Sequence, residues 1–176
     1  MISPEYCVTM ARYNAWQNSQ LREILEAMDG GDIARNRGAF FGSILGTLNH
    51  VLWGDAIWVA RFDGGAAYDV GVDGSATLFD GLQDWAEARI EMDARISRWA
   101  DGVGDRALQG ELVYYSGVMK REMSKPMALC VMQLFNHQTH HRGQVHAMLT
   151  ASGSPAPVTD LPFMPGDRLG ASGGDT

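Results

Sequence analysis

The chain has 176 residues and a formal net charge of −7 at pH 7. This negative charge repels phosphate backbones and anionic lipid surfaces, and Lys120, Arg121 and Lys125 form only a small local basic group, so neither nucleic acid nor a membrane is an expected partner. The length suits one ordinary domain, whose core is large enough to fold without a metal or a disulfide.

The first residues of the chain lack the positive and apolar regions of a signal peptide, and no apolar run approaches the length that spans a membrane. We therefore expect a cytoplasmic protein. The two cysteines, Cys7 and Cys130, do not form a close metal-type pair such as C-x-x-C. In a reducing compartment we expect both to be core thiols and not a disulfide.

Helical periodicity of the apolar residues predicts three long segments in the first part of the chain. The first covers about residues 6–28 and is stopped by two glycines after Asp29. The second covers about residues 40–62 and is stopped by another glycine pair, after which comes a loop rich in glycine and aspartate. The third covers about residues 78–100. Each segment keeps apolar side chains on one face, as helices around a shared core do.

The pattern changes between residues 108 and 123. Residues 112–115 are β-branched or aromatic apart from one leucine, Ser116 and Gly117 favour a turn, and Val118 begins a plausible return strand. This arrangement predicts a short β-hairpin before the last helix.

The fourth helical segment is predicted to begin with Ser124 as its N-cap and Pro126 in its first turn, and to end near Ala151. Four amphipathic helices without a larger sheet predict an all-α protein, a four-helix bundle with a short hairpin between helices 3 and 4. We expect one domain over residues 1–165, followed by a flexible C-terminal tail over residues 166–176.

The densest chemical signal lies in the fourth helix, where His137 and His141 are four residues apart. On a helix this spacing places the two rings side by side, so that both can reach one metal ion. An inward-facing stripe contains both of them: Cys130, Leu134, His137, His141, Val145 and Met148. A single histidine on an apolar face is usually a satisfied core residue, but two would need separate buried partners, whereas one metal satisfies both. A solvent-facing pair is the other alternative.

A third ligand would come from another helix, and His50 is the histidine that lies outside the fourth segment. Its neighbours on the same helical face are mostly small: Ser43, Gly46, Thr47, Gly54 and Ile57. Such residues leave a hollow that suits an open coordination position, or they simply let two helices pack closely. His140 and His146 lie off the inward stripe, and we interpret them as surface or interface residues.

Asp55 lies among apolar positions of the second helix, where an unpaired carboxylate would be costly. It can orient a ligand histidine, pair with Arg142, or belong to an ordinary buried salt bridge. No nucleotide-binding glycine motif, serine-nucleophile motif or cysteine-histidine pairing is recognisable, so catalytic residues are not assigned.

These residues resemble those of the DinB-like family, damage-inducible four-helix metalloproteins related to bacillithiol and mycothiol S-transferases and to mycothiol-dependent maleylpyruvate isomerase. The resemblance covers about residues 10–152. The matching groups are YNAW at 13–16, LGTLNH at 45–50 with Asp55 and Trp58, NH at 136–137, and HRGQ at 141–144. In that family the histidine of the second helix and the two of the fourth bind one divalent metal, which implies His50, His137 and His141 as the ligands here. Members are commonly homodimers.

The function that we predict from the resemblance is activation of a small-molecule substrate, a low-molecular-weight thiol, in an S-transferase reaction. A metal with an open coordination position lowers the pKa of a thiol, and the thiolate is the nucleophile. A metal-dependent hydrolase and a non-catalytic metal-binding stress protein are the alternatives. Three histidines suit zinc or nickel, and also iron. The glycine-rich loop at 71–74 and the residues after Pro165 depart from the family pattern and can line the mouth of the site.

Overall fold

The computed structural model describes residues 1–166 and consists mainly of helices. In chain order these are α1 (Pro4–Glu26), α2 (Gly30–Ala34), α3 (Ile44–Asp63), α4 (Leu82–Gly102), α5 (Asp105–Leu108) and α6 (Met127–Ala151). Strands β1 (Glu111–Ser116) and β2 (Arg121–Pro126) form an antiparallel hairpin, and 3-10 turns cover Val72–Thr77 and Leu161–Phe163. The long helices α1, α3, α4 and α6 form the bundle. The predicted all-α four-helix bundle and its hairpin are therefore confirmed.

The bundle is held by an apolar core that all four long helices share. Helix α1 packs on α4, and α3 packs on both α4 and α6. The largest fully buried apolar side chains include Leu21, Leu25, Leu48, Leu52, Trp85, Ile96, Leu134, Phe135 and Leu149. Complete burial of one such side chain stabilises the fold by about 1.5–3 kcal/mol relative to exposure. This burial favours the bundle independently of what the polar residues between the helices bind.

Helix α3 begins later than the predicted residue 40 because a serine caps it. The Ser43 hydroxyl accepts a hydrogen bond from the Gly46 backbone N–H at 2.9 Å, which satisfies one of the free donors of the first turn. At the other end Gly64 adopts φ 73°, a left-handed conformation that glycine takes without steric cost, and it ends the helix where the sequence predicted.

The predicted start of the fourth helix at Ser124 is wrong. Ser124 lies in β2 opposite Val113, and its hydroxyl donates to the Glu111 carboxylate. Pro126 is the last residue of that strand, and α6 begins at Met127. Pairing with β1 keeps the backbone of these residues extended, although their local sequence is also suited to a helix start.

The segment that follows α6 runs back along α1 and is bound there through its backbone. The Tyr13 hydroxyl donates to the Thr159 carbonyl at 2.6 Å, and the Gln17 amide donates to the Val158 carbonyl at 2.7 Å. The Gln20 side chain accepts from the Val158 N–H at 3.0 Å. Polar side chains of α1 therefore fix the path of this segment.

Both cysteines, Cys7 and Cys130, are buried free thiols, as the sequence predicted. Within residues 1–166 no helix combines the length and the apolar character needed to cross a membrane. The predicted tail, residues 166–176, lies outside the described residues from position 167 onward.

Candidate metal centre

Three histidines meet between α3 and α6. His50 lies on α3, and His137 and His141 lie one turn apart on α6. One ring nitrogen of each lies within 4.8 Å of the corresponding nitrogens of the other two. The Nε2 atoms of His50 and His137 are 3.1 Å apart, close to the roughly 3.3 Å expected between two nitrogens of a tetrahedral zinc site. The structure thus brings together the three histidines that were predicted as ligands, in an arrangement that could hold a metal ion.

Ser75 sets the tautomer of His50. The Ser75 hydroxyl donates to the Val72 carbonyl at 2.6 Å, so its oxygen accepts from His50 Nδ1 at 2.9 Å. With the proton on Nδ1, His50 Nε2 keeps its lone pair. Ser75 is fully buried in the 3-10 turn Val72–Thr77, which packs on α3. A hydrogen bond from the second ring nitrogen is typical of histidines that bind metals.

Gln144 fixes the tautomer of His141 in the same way. Its amide oxygen, which can only accept, lies 2.8 Å from His141 Nδ1. The amide nitrogen points to Nε2 of the exposed His140 at 3.4 Å, which agrees with this orientation of the amide. His141 Nε2 is therefore the nitrogen with the free lone pair.

His137 is positioned by packing against a glycine. A Cβ atom added at Gly54 would lie 2.6 Å from the ring carbon Cε1 of His137, so only glycine leaves room for the ring. A Cβ at Gly46 would likewise collide with the Phe41 carbonyl oxygen. At these two positions the small residues of α3 allow close packing, which was one of the two predicted explanations for the small residues around His50. His137 Nδ1 is buried and has no hydrogen-bond partner within residues 1–166.

Burial keeps all three imidazoles neutral. Desolvation, followed by repulsion from the other histidines, lowers the pKa of His50 to about 3 and the pKa of His137 to about 4. Burial is also the main cause that lowers the pKa of His141. A neutral imidazole is the form that donates a lone pair to a metal. The donor set and its protonation thus fit a divalent ion.

Aromatic rings enclose the cluster on one side. Phe41, just before α3, stacks on His50 with 3.9 Å between ring centroids and meets His141 edge-on at 5.4 Å. Trp53 stacks on the His50 ring at 5.6 Å. These contacts restrict the orientation of the rings and reduce their contact with water.

Phe41 and Ser75 are two residues of the site that were not predicted. Both lie outside the long helices, so helical spacing gives no signal for either. The glycine-rich loop at 71–74, directly before Ser75, was expected near the site, but no sequence pattern distinguishes this serine from its neighbours.

A cavity of about 530 Å³ adjoins the cluster at His137. Its walls come from α3, from residues 70–73 and from the hairpin, and they include Trp53, Gly54, Ile57, Trp58, Arg61, Tyr114 and Val118. The glycine-rich loop therefore lines the cavity. A small molecule in this space can contact the His137 ring.

A second cavity of about 720 Å³ lies between α1, α6 and the hairpin, and none of the three histidines lines it.

Asp55 belongs to a buried salt bridge. Its carboxylate pairs with Arg89 of α4 and accepts a hydrogen bond from the Gln138 amide at 2.9 Å. Arg142 donates to the amide oxygen of Asn14 instead. Of the three alternatives for Asp55, the structure supports the ordinary salt bridge, with Arg89 as a partner that was not predicted.

The remaining histidines do not contribute to the cluster. His140 is exposed, as expected for a surface residue, although its ring contacts that of His141 with 4.7 Å between centroids. His146 is half-buried and lines a separate cavity with Tyr13 and Pro157.

A helical bundle with three converging histidines defines a class of proteins that could bind a divalent metal between two helices. The profile of the DinB family matches residues 1–168, and the chain belongs to this family. Protein DinB of Bacillus subtilis (strain 168) is 26% identical over 166 residues, which cover 89% of this chain and 91% of that protein. The crystal structure of a DinB-like protein from Bacillus cereus ATCC 10987 shares the fold, with a TM-score of 0.57 at 14% identity over 81% of this chain and 90% of that one. The resemblance inferred from the sequence is confirmed.

Proposed function

We propose that this DinB-family protein binds one divalent metal ion through His50, His137 and His141 and activates a low-molecular-weight thiol for transfer. The observation that carries the proposal is the convergence of three neutral imidazoles, two of which have tautomers that leave Nε2 unprotonated. Zinc or nickel is the proposed ion, with iron as a further candidate. As in related family members, we propose that the protein is a homodimer.

Each residue of the site has a defined part in this proposal. Ser75 and Gln144 hold the Nδ1 protons of their histidines and so aim the opposite nitrogens inward. Phe41 packs on His50 and excludes water from one side. A bound divalent ion would supply a positive charge that lowers the pKa of a thiol in contact with it. Because three neutral imidazoles do not neutralise that charge, the site favours an anionic sulfur over neutral water.

The surrounding carboxylates favour thiol activation over the hydrolytic alternative. Metal-bound water attacks most effectively when a general base within reach accepts its proton. The Asp55 carboxylate already pairs with Arg89 and accepts a hydrogen bond from Gln138. Asp73 is the carboxylate that lines the adjacent cavity among the described residues, and it is exposed. A thiol needs no such base once its pKa is low enough for it to ionise at neutral pH.

Elemental analysis of the protein as isolated tests the metal assignment. We expect one divalent ion per chain in the wild type and in the His140→Ala variant. Substitution of His50, His137 or His141 by alanine should abolish stoichiometric metal, because each change removes one of three protein ligands. Stoichiometric metal in all three triad variants would contradict the assignment.

Spectroscopy of the cobalt-substituted protein tests the thiol. Bacillithiol, mycothiol, glutathione or a simple dithiol should alter the visible cobalt spectrum, and calorimetry in buffers of different ionisation enthalpy should detect the proton that the thiol releases. Turnover of an electrophile with the same thiol would distinguish an enzyme from a non-catalytic binder. If none of these thiols changes the spectrum, the transferase proposal falls, and a hydrolytic or binding role replaces it.

A further inference from the structure

Arg61 of α3 is held at the wall of the cavity by two aromatic rings. Its guanidinium carbon lies 4.5 Å from the ring centroid of Trp58 and 4.2 Å from that of Tyr114. One N–H group makes a long hydrogen bond of 3.5 Å to the Tyr115 carbonyl. Cation–π contacts of this kind fix the position of a guanidinium without neutralising its charge.

The charge of Arg61 has no carboxylate partner within residues 1–166. Other arginines of the bundle do have one: Arg89 pairs with Asp55, and Arg95 forms a two-pronged pair with Asp63 at 2.8 Å for each bond. Arg61 is half-buried, and desolvation lowers its pKa. A partly desolvated guanidinium with N–H groups to spare is stabilised when an anion binds to it.

The cavity has two polar ends and an apolar middle. His137 lies at one end against Gly54, and Arg61 lies seven residues further along α3, which corresponds to roughly 10 Å along the helix axis. Ile57 lies between them on α3, and Val118 in the turn of the hairpin adds a second apolar side chain to the cavity wall. Asp73 also lines the cavity, but it is exposed, and water screens its charge.

We propose that this cavity binds an amphipathic carboxylate, with its carboxylate group on Arg61, its apolar body against Ile57 and its other end at His137. A single guanidinium carries one positive charge, which matches a carboxylate better than a doubly charged phosphate. The volume of about 530 Å³ is in the range of small-molecule sites. The end at His137 rests on the proposed function, since a thiol there would be the group that is activated, whereas the pairing with Arg61 does not depend on a metal.

Two matched pairs of probes test the two ends separately. Hexanoate and hexanol differ only in the terminal polar group, and 6-mercaptohexanoate and 6-mercaptohexanol add a thiol at the other end. Trp53 and Trp58 line the cavity, so tryptophan fluorescence reports its occupancy, while the spectrum of the cobalt-loaded protein reports a thiol at the histidines. We expect wild-type protein to bind each acid about tenfold more tightly than the matching alcohol.

Three variants assign this preference to Arg61. Arg61→Gln should reduce the ratio of acid to alcohol affinity to about one by weakening acid binding alone. Arg61→Lys keeps the charge but loses the planar donor pair, and should give an intermediate ratio. Arg106→Gln removes a charge from the exposed surface of α5 and should leave the ratio unchanged. Circular dichroism and metal content verify that each variant is folded.

The two proposals fail in distinguishable ways. Equal affinities of wild-type protein for acid and alcohol, or a preference that survives Arg61→Gln, would overturn the carboxylate site while leaving thiol activation intact. A cobalt spectrum that no thiol changes, together with an acid preference that depends on Arg61, would overturn thiol activation and support the carboxylate site.

Discussion

Two polar clusters are buried side by side in the bundle, and they differ in how their polar atoms are satisfied. In the first, the nitrogens of His50, His137 and His141 converge on one another. In the second, Asp55 and Asp93 both pair with the Arg89 guanidinium. In the second cluster each charge has an opposite charge beside it, so the charges are paired within the protein even though Arg89 Nε and Gln138 Oε1 lack hydrogen-bond partners among the described residues. The first leaves lone pairs directed at a common point, which is the arrangement that an added cation completes.

The clusters use adjacent positions of the same helices. Gln138, which contacts Asp55, directly follows His137, and Asp55 itself directly follows the glycine that receives the His137 ring. One residue along a helix turns the side chain by about 100°. Polar residues in one short stretch therefore divide between a structural role and a ligand-binding role according to the direction in which each points. The difference can be tested by removing members of each cluster.

The largest loss of stability is expected in the second cluster, which contains Asp55, Asp93 and Arg89. Asp55→Ala leaves the fully buried Arg89 without one of its carboxylates, and should lower the free energy of unfolding by about 3–5 kcal/mol, measured by urea denaturation. In metal-free protein His137→Ala should cost less, because it removes one hydrogen bond between neutral rings, to His50 Nε2, and leaves no buried charge unpaired. Equal losses for the two variants would remove the distinction between a charge-paired and an open cluster.

Removal of the metal should have the next largest effect on stability. Chelation should leave the helical circular dichroism unchanged at room temperature, because the apolar core holds the bundle. Added metal should raise the melting temperature, with a stabilisation of about 2.7 kcal/mol when free metal is 100 times its Kd. The melting temperature of His137→Ala should not respond to the same addition. Loss of helical signal on chelation would mean that the metal is part of the fold.

Ser75→Ala tests the support of the histidine cluster. Without the hydroxyl, the His50 tautomer is no longer fixed, and metal affinity should fall by about 10–100-fold, or about 1.4–2.7 kcal/mol, as measured by competition with a chromogenic chelator. Thr77→Ala changes an exposed hydroxyl in the same 3-10 turn and serves as the matched control. Equal affinities of the two variants would show that Ser75 does not orient His50.

The smallest effect is expected at His140. His140→Ala removes an exposed ring that makes a weak hydrogen-bond contact of 3.4 Å to the Gln144 amide nitrogen. Metal affinity should therefore change by less than about twofold, and the free energy of unfolding by less than about 0.5 kcal/mol. Isothermal titration with zinc and urea denaturation measure the two quantities. A loss as large as that of Ser75→Ala would place His140 among the groups that support the centre.

The long helices were predictable because their apolar residues repeat at helical spacing, which burial on one face requires. Their boundaries were less so. The capping of α3 by Ser43 and the strand position of Ser124 depend on competing local interactions, and pairing of β2 with β1 decided the second case. A serine before a helix is a candidate N-cap in both places, and only the tertiary context separates them.

In the site, the histidine pair on α6 was predictable because its spacing is local, and His50 followed as the histidine outside that helix. Ser75 and Phe41 were not, because each comes from a loop whose path is set by packing. The partner of Asp55 was missed for a related reason. Several arginines lie on helices, and only the relative rotation of α3 and α4 shows that Arg89 is the one that meets it.

The attachment of the C-terminal segment to α1 constrains the side chains of α1 but not those of the segment. Tyr13, Gln17 and Gln20 bind carbonyl and N–H groups of the segment, which every residue type except proline offers. The side chains at positions 158 and 159 are exposed and are free to vary, apart from proline at 158, whose N–H donates to Gln20. A protein engineer could therefore rewrite this stretch, or graft a peptide epitope into it, while leaving the α1 side chains as they are.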